Sequence, residues 1–497
     1  MRIEKLLAIL ALGALVSCQT KDNLNPMMPD PDPSEEETAI VQEEVIQTDD
    51  PVAYLAQLDF DKWTSLQTIE ERIAACNPPQ DQLKKMSTKA LVESVIDYPL
   101  NYLIFAYNDP MDAIQFLADQ SNILQELEQR KDAAKCLIQR FSKNQIDRSL
   151  KRKSNLKENK VTYFGELFLE YYMASGRIPD LMSEENEADL KDAIYDKMQE
   201  REKQSEGNYD LSLASIQKMS ASPALRWRVA NITRPPRIST SRIYSQLGTF
   251  MDTDIYAEFS AQDISDLTQF YHEEYPNATV VAPASSRYNC HSYAWYNQST
   301  TANHHWINPM SSDGKRFQLS AYWTAGKGIY VSCAESQAEL VYYANVDGGH
   351  SAVKRPDGKY ISKWGCAPVM IHDPAYCPYT ASGRQFYKVS PYLPLGALKV
   401  NGPDSSTMLT VGQNYNYYVD TYNPSVTYQW TVESYPGDSN FIEPTILSDR
   451  MTYSSLSIRF NAPGYYVMRV DTYGTTSSHQ AIHIAYGIKS AVAIPQL

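Results

Sequence analysis

Hydrophobic periodicity changes along this chain, and that change limits its fold more than any other feature. Over about 52–205, apolar residues recur at three- and four-residue spacing. From Ile123 the stripe runs through Leu127, Ala134, Leu137, Ile138 and Phe141, and a second stripe holds Phe164, Leu167, Phe168 and Tyr171. Asp109-Pro110 has the form of a cap followed by a first helical position, and Ser183 before acidic residues is a helix start. The block predicts an N-terminal all-α domain. It holds neither metal-spaced histidines nor a glycine-rich loop, so its charges read as solvated helix faces. After about 394 the period falls to two. A chain of 497 residues is too long for one ordinary core, and two to four domains are expected.

The C-terminal part, 394–497, is predicted all-β. Asn414 to Tyr422 alternates tyrosines with polar residues, and Val426, Tyr428 and Trp430 share one strand face. Leu456–Phe460, Gly464–Val470 and Gln480–Tyr486 continue the series. The pattern resembles an immunoglobulin- or PKD-like sandwich with Trp430 in its core, a kind of module that binds or spaces.

At the other end, Arg2 and Lys5 precede the apolar run Leu6–Val16, which is too short for a stable membrane span. Leu15-Val16-Ser17-Cys18 looks like a bacterial lipobox. The resemblance implies a signal peptide over 1–18, lipid attachment at Cys18, and outer-membrane anchoring, since Gln19 and not aspartate follows. Residues 19–51 are rich in proline and carboxylates and read as an acidic tether. The net charge of −14 argues against a nucleic-acid partner and against electrostatic adhesion to anionic lipid.

Between these parts, 206–254 reads as a connector and 255–393 as a mixed α+β domain. Ser260 caps a helix with Ile264, Leu267 and Phe270-Tyr271 on its apolar face, ended by Pro276. Val280-Val281 follows, then SSRYNCHSYAWYNQ over 285–298. Asn289 is placed to cap a helix, which puts Cys290 in its first turn, where a thiolate is favoured. A base is available in GGHSAVKRPDGKYISKWG: Val346–Lys354 reads as a strand carrying His350, Pro356–Lys359 as a turn, and Tyr360–Trp364 as the returning strand.

This order resembles the papain-like superfamily in its compact bacterial forms, the NlpC/P60 and CHAP peptidases and amidases. YNCHSYAWY, HHWINP, GHSAV, YISKWG and HDPAYCPY also look like amidase-like domains of bacterial surface lipoproteins. The resemblance implies Cys290 as nucleophile and His350 as base, with Ser362 or His372 orienting the imidazole. It departs from NlpC/P60 in reading Asn-Cys-His-Ser where those families usually have Asp-Cys-Ser-Gly. The function it implies is a lipid-anchored cysteine hydrolase cutting amide bonds in peptides, peptidoglycan or surface proteins, without cofactor or metal. The alternative is a non-catalytic surface binding protein that keeps the same shape.

Other readings compete for the same residues. Cys290 on its own fits a structural or disulfide-bonded cysteine, and His291 fits a surface or packing position. The adjacent His304 and His305 point different ways and have no acidic or cysteine ligand nearby at zinc spacing, so no metal is expected. Cys366 and Cys377 are the best candidate disulfide. Four of the seven tryptophans, Trp295, Trp306, Trp323 and Trp364, fall in this region, most of them as core.

Overall fold

Helix Pro110–Gln120 starts as its sequence dictates: Asp109 accepts the Met111 N–H at 2.9 Å, and Pro110 takes a first-turn position that needs no donor. This structure is a computed structural model. It describes residues 47–143, 156–179, 181, 183–204, 210–222, 237–311, 314–325, 327–390, 396–404, 406–420, 422–423, 425–434, 442–448 and 453–495. The expectations for Cys18 and for nearly all of the tether lie outside the described residues. Among the described residues, no helix is long and apolar enough to cross a membrane.

The described residues up to Ser220 form a helical region. The stripe that begins at Ile123 is divided between two helices, Asn122–Glu128 and Ala133–Ser142. Arg130, at the break, pairs with Glu126 at 2.9 Å and donates to the Leu83 carbonyl at 2.9 Å. Helix Leu156–Ala174 buries Phe164, Leu167 and Phe168. Glu184–Gln204 follows Ser183, with three glutamates in its first turn. The stretch expected as a connector contains a buried helix, Leu211–Ser220, capped by Asp210, and a β-hairpin.

Ten strands follow: β1 (Arg237–Tyr244), β2 (Phe250–Tyr256), β3 (Thr279–Ala282), β4 (Trp306–Ile307), β5 (Tyr330–Ser332), β6 (Leu340–Tyr343), β7 (His350–Lys354), β8 (Tyr360–Lys363), β9 (Val369–His372) and β10 (Arg384–Val389). A three-stranded sheet has the order β1-β2-β4, and a seven-stranded sheet the order β3-β9-β8-β7-β6-β10-β5. The larger sheet is antiparallel throughout. Helix Ala261–Glu274 precedes it, capped by Ser260 as expected.

Strand alternation gives the large sheet two apolar faces. Val341, Tyr343, Ala352, Tyr360 and Met370 join a core that runs back through Trp63, Leu117 and Phe168 of the helices. Leu340 and Tyr342 join a second core with Trp295, Tyr322 and Tyr387. The helices and the sheet are therefore packed around one shared interior. A buried ion pair crosses it: Arg72 Nη1 lies 2.7 Å from Glu274 Oε1, and the guanidinium sits 4.2 Å from the Tyr275 ring centre. Trp63 Nε1 donates to the same carboxylate.

The C-terminal strands are β11 (Gly396–Ala397), β12 (Val400–Asn401), β13 (Met408–Thr410), β14 (Asn414–Val419), β15 (Val426–Ser434), β16 (Thr445–Ile446), β17 (Ser455–Arg459), β18 (Gly464–Thr475) and β19 (Ala481–Ile494). One sheet has the order β11-β19-β18-β15, with β13 also on β19, and the other the order β12-β14-β17-β16. Tyr417, Leu456 and Ile458 of one meet Tyr428, Trp430 and Met468 of the other, a two-sheet sandwich. Trp430 is in its core, as the alternation predicts.

Candidate functional site

Asn289 does cap the segment that carries Cys290: its Oδ1 accepts the Ser292 N–H at 3.1 Å, and its backbone carbonyl accepts from Tyr293 at 3.0 Å. The helix is short. Cys290 and His291 are α-helical, Ser292–Tyr296 form a π-turn, and the chain is extended by Asn297. Two turns sum few peptide dipoles. Burial prevails, and it pushes the Cys290 thiol up to about 12, against the sequence expectation of a favoured thiolate.

The thiol occupies a gap in the large sheet. β7 pairs with β8 only at Val353↔Ile361 and Lys354↔Tyr360, so the strands part before Ser351. The backbone N–H of Ser351, on the strand edge that faces this gap, acts to lower the Cys290 thiol pKa, though less than burial raises it. By standard backbone dimensions the Cα of His350 is about 2.4 Å from that nitrogen. The two expected residues therefore lie at the same break in the sheet.

Their side chains are not bonded to each other. His350 is wholly buried, and its ring stacks on Tyr379 with centres 3.7 Å apart, beside Tyr343. Neither ring nitrogen has a hydrogen-bond partner among the described residues. Desolvation, then the nearby imidazoles, hold its pKa well below the ordinary histidine value. Ser362 and His372 bond each other and not His350. The Ser362 hydroxyl lies 3.0 Å from His372 Nε2 and accepts from Trp364 Nε1 at 2.9 Å. His372 Nδ1 is 2.8 Å from the Asp373 carbonyl, which makes Nε2 the acceptor of the serine hydrogen. Lys363, beside them, is buried and donates to the carbonyls of Ser285, Gly365 and Ala367 at 2.7–2.9 Å.

Several residues at the centre gave no sequence signal. Of the surface and packing positions expected for His291, the structure shows the second: it is fully buried. Its Nδ1 lies 2.8 Å from Ser351 Oγ, which accepts from Trp295 Nε1 at 2.9 Å. Its Nε2 faces both the Asn108 amide nitrogen at 3.0 Å and the Gly348 carbonyl at 3.2 Å. Burial lowers the pKa of this neutral imidazole to about 4. Gly348 and Gly349 both have φ near +69°, and this left-handed pair turns their carbonyls toward the centre.

From the helical region comes Asn108. Its Oδ1 accepts from Asn289 Nδ2 at 3.0 Å and from the Cys290 thiol at 3.6 Å. Its Nδ2 donates to the Gly349 and Gly348 carbonyls at 3.1 and 3.3 Å. Asn108 adjoins the helix cap at Asp109, and in the sequence it reads only as the approach to that cap. Its place beside the thiol comes from the backbone contact between 105–107 and Gly365.

Cys366 and Cys377 do not form the expected disulfide; both are free thiols. Cys366 is held by its N–H to the Phe105 carbonyl at 2.8 Å, and the Cys377 thiol faces the carbonyls of Pro374 and Tyr379. Cys290 is free as well. His305 Nδ1 is 3.1 Å from Thr253 Oγ1, and among the described residues no group of three or more histidine, cysteine or carboxylate side chains could hold a metal ion.

No protein-family profile matches this chain, so no match supports the NlpC/P60 or CHAP resemblance. No curated protein matches it in sequence. Among solved structures, the solution structure of a human PKD domain is similar to part of it, with 17% identity over 22% of this chain and 92% of that one and a TM-score of 0.16. A score that low adds nothing to the sandwich, which rests on its own strand pairings. The chain is a helical region followed by several β-sheets, the last two of which form a sandwich.

Proposed function

We propose that this chain is a cysteine hydrolase of amide bonds, with a papain-like arrangement around Cys290 and His350. The observation that carries the reading is the buried thiol at the β7–β8 gap, held by Asn108 Oδ1 at 3.6 Å, with His350 on the adjoining strand and neither of its ring nitrogens bonded among the described residues. A thiol kept only for packing sits among aliphatic side chains. Here Asn108, Asn289 and the Ser351 amide converge on it or its neighbour. A fully buried polar ring with both nitrogens unbonded carries a desolvation cost, and a proton-transfer role explains its retention.

In the reaction, the His350 ring leaves Tyr379 and takes the thiol proton. The sulfur forms a bond to the amide carbonyl carbon, whose oxygen becomes anionic. The C–N bond then breaks as imidazolium protonates the leaving amine, which gives a thioester. Water, deprotonated by His350, attacks the thioester, and a carboxylic acid and the free thiol result. The lipobox-like segment makes peptides, peptidoglycan or surface proteins the substrates and an outer-membrane anchor at Cys18 the address. The sandwich, read as immunoglobulin- or PKD-like, positions or binds.

The binding-protein reading keeps one observation in its favour: Cys290 is only 1% exposed. Alkylation by iodoacetamide, followed at Cys290 by peptide mass spectrometry from pH 5.5 to 9, separates the two. A hydrolase retains alkylation below the ordinary thiol range and loses about tenfold or more of it in His350→Ala. A rate that follows one unperturbed thiol titration and is unchanged in His350→Ala would leave the binding protein.

A further inference from the structure

The hydrolase reading supplies a nucleophile and a base but leaves the oxyanion to the backbone N–H of the nucleophile, Cys290, alone. Asn289 has the properties of a second. Its side chain is wholly buried and fixed at three points: Oδ1 accepts from Ser292 N at 3.1 Å and Ile307 N at 3.3 Å, and Nδ2 donates to the Ile307 carbonyl at 2.8 Å. One N–H remains. It points to a carboxamide oxygen 3.0 Å away, and that same oxygen lies 3.6 Å from the Cys290 sulfur. The oxygen belongs to Asn108.

A carbonyl oxygen held by a rigid donor beside a thiol is where the oxygen of a reacting amide belongs. We infer that Asn108 is a built-in occupant of the amide-binding position, and that Asn289 is the donor that holds a substrate carbonyl once Asn108 withdraws. The inference rests on Cys290 as nucleophile. It names the substrate class as a carboxamide or peptide amide whose oxygen replaces Asn108 Oδ1. His350, fully buried and with both ring nitrogens unbonded among the described residues, is a second and independent sign that the centre is built for a ligand. Asn108 itself is only half-buried, whereas Cys290, His291 and Asn289 are fully buried, so it is the member of this cluster that reaches solvent. The Asn108 amide nitrogen lies 3.0 Å from His291 Nε2 and 3.1 and 3.3 Å from the Gly349 and Gly348 carbonyls, and these anchors hold the occupant in place.

The test uses the full chain and iodoacetamide, a small neutral carboxamide. Cys290 sulfur forms a bond to its methylene carbon, iodide leaves, and the thiol proton goes to solvent. Asn108→Ala is expected to alkylate at Cys290 about tenfold faster or more, because the fraction of open molecules limits the parent. Asn108→Ser, smaller yet polar, is expected to do the same. Cys136, half-exposed in the helical region, alkylates at the parental rate in both variants if the fold is intact. In the Asn108→Ala background, iodoacetamide is expected to outpace iodoacetate, whose anionic oxygens lack the amide's fit, and Asn289→Ser narrows that preference. Cys290 alkylation unchanged in both Asn108 variants, with Cys136 at the parental rate, would overturn the occupant. A preference untouched by Asn289→Ser would overturn the donor. If opening accelerates alkylation but His350→Ala has no effect on it, the occupant stands and the hydrolase reading falls.

Discussion

Asp112 stands close to the Gly348 turn, and its carboxyl is pushed up to about 7, first by burial and then by Asp109 and Asp347, against the pull of Lys218. Its folded pKa is raised above the unfolded value. The native state therefore holds a proton at pH 5 that it loses above pH 7, where the buried charge destabilises it. Asp112→Asn is expected to be more stable than the parent at pH 8, by about 1–3 kcal/mol, and to show no such gain by pH 4. Urea midpoints at the two pH values check this; a gain of equal size at both would mean that charge is not the cause. At this scale the sequence was partly legible. Caps at Asp109, Ser260 and Asn289 follow from local chemistry that a short window contains. The contacts of Asn108 and His291 are not legible, because their partners lie 181 and 60 residues away and nothing near them in the chain marks the meeting.

Elements were read well where one periodicity ran unbroken, and poorly where a tertiary contact intervened. The Ile123–Phe141 stripe gave the right face but missed the break at Arg130, which is fixed by the distant Leu83 carbonyl. The hairpin expected to carry His350 is present, although β7 begins at His350 and the preceding residues form the glycine turn. The parting of β7 from β8 had no sequence signal, since it is the inserted Cys290 segment that opens it. The loop after β8 is held just as tightly. Gly365 has φ of +49°, and a Cβ there would lie 2.6 Å from the carbonyl oxygens of Phe105 and Tyr107. Gly365→Ala is expected to cost about 2 kcal/mol or more, since both atoms it meets are backbone. It also shifts the 105–107 backbone away from the sheet and so exposes Cys290. A lowered melting temperature with faster Cys290 alkylation is the expected pair of results; alanine tolerated with neither change would show that this contact does not set the approach of Asn108.

Across the whole molecule, residues 47–497 form one compact unit. Composition and periodicity told helices from strands but not that the helices and the large sheet share an interior, because apolar residues carry no label for their partner. Arg72 and Glu274 tie the two together, with side chains 1% and 8% exposed. Removal of one member strands a buried charge. Arg72→Met is expected to cost about 3–5 kcal/mol in urea unfolding, and the double change with Glu274→Leu to recover most of it. Equal losses in the single and double variants would mean that the aromatic contacts around Arg72, not the charges, hold the junction. The sandwich is joined differently. β18 and β19 run for 12 and 14 residues, and Ile482 and Ile484 near the start of β19 pack with Trp295, while Ala491 and Ala493 near its end lie in the sandwich core. A ribbon seated in two interiors acts as a girder. Load placed on the outer sheets is carried along this ribbon to the core under the cysteine segment.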